Sequence, residues 1–141
     1  KLKMTSYSQK KNISYKNNFT YEAHSSDYQD LSSLKKLVKN NFKFLKVGPE
    51  LTFNYMKAIL KMEKIEKLTF KSNLSEIKKK ISREMEIDKT FWKNYYFGNK
   101  KKIEYLKFNS YLDRSRYYWN KKKVVSSLKI LEKNINSIKR N

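Results

Sequence analysis

His24 and Asp27 stand three residues apart in Tyr21-Glu22-Ala23-His24-Ser25-Ser26-Asp27. An imidazole beside a carboxylate can be oriented as a general base, or the two can share a divalent metal. The same pair also reads as one satisfying hydrogen bond and nothing more. A second group follows in Lys46-Val47-Gly48-Pro49-Glu50-Leu51-Thr52. There Gly48 would let the backbone approach a ligand, and Pro49 suits the first turn of a helix. Free N–H groups at that helix start, with Lys46 and Thr52 close by, would suit a phosphate; an ordinary strand-to-helix turn has the same sequence. A third group is Asp113-Arg114-Ser115-Arg116-Tyr117-Tyr118-Trp119. In a Lys-biased chain its two Arg residues, Arg114 and Arg116, point to bidentate contacts with carboxylate or phosphate that Lys cannot make. The aromatic trio beside them reads as packing, and Arg with Tyr and Trp also suits an interface.

The elements that position these groups follow from periodicity. The stretch from Phe19 to Ala23 reads as a short strand. Asp30 is an N-cap for a helix with apolar residues at Leu31, Leu34, Leu37, Val38 and Phe42. A second strand runs from Phe42 to Val47 and stops at Gly48-Pro49. The intervening helix makes the crossover long enough for parallel pairing. Beyond Leu51 the pattern is helical: Phe53 to Ile65, a helix starting near Asn73 with Leu74, Ile77, Ile81 and Met85, and an aromatic helix from Asp88 to Gly98. Ile103, Leu106 and Phe108 mark another piece, and Val124, Leu128, Leu131, Ile135 and Ile138 form the last stripe. The fold class is α/β with a mainly helical C-terminal region.

Composition sets the outer limits. The chain has 141 residues, 38% hydrophobic and 15% aromatic, which is enough for one domain with a modest core. Cysteine is absent, so disulfide scaffolds and Cys-based zinc sites are excluded, and a cytoplasmic protein is the expectation. One His cannot build a three-histidine zinc site. There is no P-loop, GxSxG or GxGxxG, and no uncharged apolar run of ~18 residues that would span a membrane. The net charge of +21 invites a nucleic-acid reading. Against it, only Arg83, Arg114, Arg116 and Arg140 are Arg among 34 basic residues. The richness in Lys, Asn, Ile, Tyr and Phe matches drift toward A/T-rich codons on a tolerant surface.

Three separated motifs, EAHSSDYQ (22–29), LKVGPELTF (45–53) and DRSRYYW (113–119), come in the order and at the distances found in one family, and Phe91-Trp92-Lys93-Asn94-Tyr95-Tyr96 fills a fourth position. The chain resembles the C-terminal third of the non-catalytic (Z-type) subunit of class II D-tagatose-1,6-bisphosphate aldolase. That family reads EAHSTDYQ, LKVGPxLTF, a WxxYY-like stretch and DRIRYYW. The resemblance implies a TIM barrel of which residues 19–70 supply the last two βα units, preceded by a polar lead-in (1–18) and followed by a helical region (71–141). A complete barrel needs about 250 residues, so a fragment or one piece of a split protein is expected, poorly folded in isolation. The sequence starts at Lys1 rather than Met, which fits that expectation.

The resemblance further implies a partner, the catalytic, zinc-dependent aldolase subunit, which cleaves tagatose 1,6-bisphosphate into two triose phosphates. Some relatives are similar to metal-dependent 4-epimerases of ketohexose 6-phosphates; for that reading His24 and Asp27 would be catalytic or hold a divalent metal. Lys46, Gly48, Thr52, Arg114 and Arg116 would then meet a sugar phosphate. The family has also carried the name tagatose-6-phosphate kinase, which no kinase motif in this sequence supports. The sequence departs from the family at Asn120, where a Pro usually follows the YYW triplet, and in its many surface Lys.

Overall fold

The computed structural model describes residues 20–138, and the lead-in expected over 1–18 lies outside them. The described residues divide into two compact units, 20–46 and 47–138.

The first unit is a single βαβ step: β1 (Tyr21–Ala23), α1 (Leu31–Lys39) and β2 (Phe42–Leu45). The strands pair in parallel, with Tyr21 opposite Phe42, Glu22 opposite Phe44 and Ala23 opposite Leu45. Ring centroids of Tyr21 and Phe42 lie 5.5 Å apart. Asp30 caps α1 as its residue type predicts, its Oδ1 accepting from the Ser33 amide at 2.8 Å. Asn41 makes the turn into β2 at φ 64°, a left-handed conformation that Asn tolerates. β2 is shorter than the expected 42–47 and ends at Leu45, where its pairing with Ala23, the last residue of β1, also ends. Phe19, the expected start of the first strand, lies outside the described residues. α1 buries none of its residues; Leu31 and Val38 are exposed, as is Phe44 on β2.

The second unit holds α2 (Pro49–Thr69), α3 (Ile77–Ile87), α4 (Lys100–Asn109), a 3-10 turn (Arg114–Tyr118) and α5 (Lys122–Ile138). Its core joins Met56 of α2, Ile77, Ile81 and Met85 of α3, Trp92 and Tyr96, Phe108 of α4, Tyr118, and Val124 and Leu131 of α5. The stripe expected on the last helix is the one buried: Leu128 and Ile135 pack beside Val124 and Leu131.

Two expectations fail here for identifiable reasons. α3 begins at Ile77, not near Asn73, because residues 73–76 are held as a connector. Asn73 and Glu76 adopt left-handed φ of 56° and 50°. Between them the Ser75 amide (3.0 Å) and hydroxyl (2.5 Å) both donate to the buried Glu66 carboxylate of α2. Asn134 of α5 donates to the same carboxylate at 2.7 Å, so one buried acid ties three segments. The aromatic stretch 89–98 forms turns rather than the expected helix. Trp92 Nε1 donates to the Met85 carbonyl at 2.6 Å and Tyr118 Oη to the Asp88 carbonyl at 2.5 Å, which claims the last acceptors of α3 for side chains.

A buried ion cluster braces α3 against α4. The Lys107 side chain is fully buried, and its Nζ meets Glu86 at 2.5 Å, Glu104 at 2.9 Å and the Ser82 hydroxyl at 3.3 Å. Its charge also sits 5.4 Å from the Trp92 ring centre. α2 is apolar on two sides. One side faces the core through Phe53 and Met56, while Leu51, Tyr55, Met62 and Ile65 run along another and are exposed.

Candidate functional site

The strand ends of the first unit gather three polar side chains. Glu22 and His24 alternate with inward-leaning neighbours on β1 and its exit, so period two puts them on one side of the strand. Lys46 arrives from β2 and is fixed by its backbone. Its amide donates to the Ala23 carbonyl at 2.9 Å, and its carbonyl accepts from the Ser26 amide at 3.1 Å and hydroxyl at 3.0 Å. Both partners then converge on one oxygen: His24 Nε2 lies 2.5 Å and Lys46 Nζ 2.6 Å from Glu22 Oε1. The hydrogen bond from Lys46, aided by its charge and by His24, holds the Glu22 carboxyl below the usual carboxylate range. His24 and Lys46 remain more than half exposed, at 69% and 58%, so the cluster can meet a ligand from solvent.

Glu22 is thus a carboxylate in contact with His24, one that sequence spacing did not single out. Asp27 lies in the turn after β1, following Ser25 at φ 54°. Sequence reasoning missed Glu22 and Ser26. Strand alternation through Glu22 and His24 was the available signal for the first; nothing in the sequence marked Ser26. Among the described residues no group of three or more His, Cys, Asp or Glu could hold a metal ion. Glu22 and His24 are moreover engaged with each other. These residues alone therefore do not fit a resident metal, and no chemistry is routed through one.

Gly48, Pro49 and Thr52 open α2 in the second unit, with Gly48 as N-cap and Pro49 in the first turn. The Thr52 hydroxyl donates to the Pro49 carbonyl at 3.2 Å. Glu50 puts a carboxylate in that first turn, where it complements the positive end of the helix dipole.

Arg116 is committed to the fold of its own turn, whereas Arg114 stacks on a ring outside it. Arg116 Nη1 donates to the carbonyls of Leu112 (2.5 Å) and Asp113 (2.9 Å), and Nη2 to the Tyr117 hydroxyl (2.9 Å). The fork that Lys cannot reproduce is used on backbone carbonyls. The Arg114 guanidinium stacks 3.4 Å from the Tyr95 ring centre. Asp113 is fully buried at a left-handed φ of 36°, with Ser115 Oγ donating to its Oδ1 at 2.5 Å. The aromatic neighbours pack as expected: Tyr118 is buried, and Tyr117 stacks on Phe91 with centroids 4.6 Å apart.

A parallel βαβ step with a Glu–His–Lys cluster at its strand ends, followed by a helical unit, defines an α/β protein with a polar strand-end cluster. The family model described as D-tagatose-1,6-bisphosphate aldolase subunit GatZ/KbaZ-like matches residues 3–141, and the chain belongs to that family. Curated relatives named D-tagatose-1,6-bisphosphate aldolase subunit GatZ, from Escherichia coli O1:K1 / APEC and from strains S88 and UTI89, are each 34% identical over 125 residues. The match covers 87% of this chain and 30% of each relative, so the chain spans under a third of their length. A solved structure, described as a probable tagatose 6 phosphate kinase from Sinorhizobium meliloti 1021, superposes with a TM-score of 0.74 at 32% identity. That superposition covers 82% of this chain and 30% of the other. Among the described residues, no helix is long and apolar enough to cross a membrane.

Proposed function

We propose that this chain acts as the C-terminal portion of a non-catalytic subunit that supports class II D-tagatose-1,6-bisphosphate aldolase in sugar catabolism in the cytoplasm. The observation that carries the reading is the family match over residues 3–141. In this reading β1 and β2 are the last two strands of a TIM barrel, residues 19–70 its last two βα units, and 71–141 a helical appendage. The second apolar side of α2, with Leu51, Tyr55, Met62 and Ile65 exposed, supports it, because a barrel helix is covered on more than one side. The partner is the catalytic aldolase subunit. Co-expression with a class II aldolase subunit, followed by tagged purification, tests the proposal. Co-elution and a longer half-life of aldolase activity are expected; no association and an unchanged half-life would sink it.

A second reading is favoured by the Glu22–His24–Lys46 cluster: a ketohexose-6-phosphate 4-epimerase site of which these strand ends form part, with Lys46 for the phosphate or a sugar oxygen. Gly48 and Thr52 would lie on the next loop, whereas Arg116, bonded to the carbonyls of its own turn, would act on the fold. Fructose 6-phosphate conversion by a protein carrying the whole barrel should then vanish in His24→Ala and fall sharply in Glu22→Gln. Activity that survives His24→Ala removes this reading and leaves the subunit reading standing.

A further inference from the structure

Two open hollows on the second unit, of about 600 and 500 Å³, share Lys78 and Glu104 and so form one groove along α3 and α4. Its walls carry Lys67, Lys78, Lys79 and Arg83 on one side and Lys100 and Lys101 on the other. The only carboxylates that line it are Glu86 and Glu104, and both are already bonded to the buried Nζ of Lys107. Lys67 and Lys79 are partly neutralised by Glu63 (2.7 Å) and Glu76 (3.0 Å). Arg83, Lys100 and Lys101 make no ion pair among the described residues, and the Lys78 ammonium rests 5.2 Å from the Phe108 ring centre. The groove is also fixed in shape, because Ser82 of α3 donates to Glu104 of α4 at 2.7 Å beside the Lys107 brace. A surface hollow in which cations outnumber carboxylates raises the local concentration of anions.

We propose that this groove docks an acidic segment of a protein partner. Lys100 and Lys101 stand with Lys78 around one hollow, and Arg83 with Lys78 around the other, as cations able to meet side-chain carboxylates. Glu86 and Glu104, half exposed at 50% and 49%, keep oxygens that can accept main-chain amides of a bound peptide. A phosphate backbone has no such donors and would face two carboxylates. Nor does the groove offer a row of stacking rings: Tyr105 is the aromatic residue that lines it. The inference does not rest on the aldolase reading, since it uses only charge, shape and hydrogen bonding of the second unit.

Binding of a short poly-L-glutamate peptide and of an oligothymidylate of matched charge to the full chain, at equal salt, tests it. The variant K78Q/R83Q/K100Q/K101Q should weaken poly-L-glutamate binding at least ~10-fold, and a control that removes the same charge from α5, K122Q/K123Q/K129Q/K133Q, less than ~2-fold. All eight positions are exposed, so both variants should keep the parent's helical circular dichroism. The charge-preserving variant K78R/K100R/K101R should bind like the parent, which separates lost charge from a disturbed fold. Equal losses in the two glutamine variants would reduce the effect to net charge and overturn the proposal. Tighter binding of the oligothymidylate, lost in the groove variant, would overturn it in favour of a nucleic acid.

Discussion

The two units solve the burial problem to different degrees. In the second, Met56, Ile77, Ile81, Met85, Tyr118 and Val124 lose all contact with solvent. In the first, Ser26 is the buried residue among the described ones and α1 buries nothing, although it carries Leu31, Leu34, Leu37 and Val38 at helical spacing. The same amphipathic grammar therefore gives a core in one place and a coat of exposed apolar groups in the other. A two-stranded sheet with one helix offers too little surface to cover a helix stripe, whereas four helices and a turn cover one another. Polar side chains differ in parallel. Those of the first unit that carry candidate chemistry are exposed and meet at strand ends; those of the second are buried cross-braces, Glu66 and Lys107.

The largest effect that can break this contrast is a cavity. Ile81→Ala removes packing at the centre of the second unit and is expected to cost about 2–5 kcal/mol, since the surrounding helices cannot collapse fully onto the gap. Leu34→Ala, the equivalent change on the half-covered α1, should cost less than about 1 kcal/mol because water already reaches the site. Chemical denaturation followed by circular dichroism gives both numbers. Equal costs would mean that α1 is covered in solution, and the contrast between the units would fall.

A smaller effect is expected from the brace. Lys107→Met removes a fully buried cation and leaves Glu86 and Glu104 facing each other; because both are half exposed, solvent limits the cost to about 2 kcal/mol. The hydrogen bond from Lys107 holds the Glu86 carboxyl below its ordinary range despite some burial. For Glu104 burial pushes upward, but the bonds from Lys107 and Ser82 outweigh it and the net direction is down. Carboxyls lowered in the folded state stabilise it above their unfolded value of about 4.3, and that stability is lost as pH falls through their folded values. Acid unfolding of the wild-type chain should therefore show a limb below pH ~4.3 that Lys107→Met flattens. A variant with an unchanged acid limb would show that the brace adds nothing.

Much of this contrast was legible in the sequence, and what was not has physical reasons. The Asp30 cap, the parallel step and the stripe on α5 follow from local chemistry: one side chain, one crossover length, one period. The start of α3 did not, because Ser75 is held by Glu66, nine residues away, and Glu66 in turn by Asn134, 68 residues away, partners that no local pattern encodes. The turn at 89–98 likewise depends on Trp92 and Tyr118 reaching the end of α3. At the candidate site His24 and Lys46 were visible as residue types. Glu22 was passed over since an exposed Glu is ordinary until a second strand brings Lys46 beside it. The Arg pair at 114–116 was readable as special, but its fork serves the carbonyls of Leu112 and Asp113, which the sequence cannot display.

The smallest expected effect tests whether the first unit's polar cluster is organised despite its exposure. Glu22 is held low first by the hydrogen bond from Lys46 and then by the charges of Lys46 and His24. Lys46 itself is placed by backbone bonds to Ala23 and Ser26, not by its long side chain, so its ammonium returns to the same oxygen rather than roaming. If that placement holds in solution, Lys46→Met should move the Glu22 carboxyl back up toward the ordinary carboxylate value, and His24→Ala should move it up by less. Carbon-detected NMR titration of the Glu22 carboxyl in the three proteins reads both shifts, with circular dichroism unchanged because the side chains are exposed. The sign is fixed: losing a cation disfavours the carboxylate, so its titration must shift to higher pH. An unmoved titration in Lys46→Met would mean that the contact is averaged out by water, as many exposed ion pairs are. The first unit would then differ from the second in having neither a core nor an ordered polar cluster.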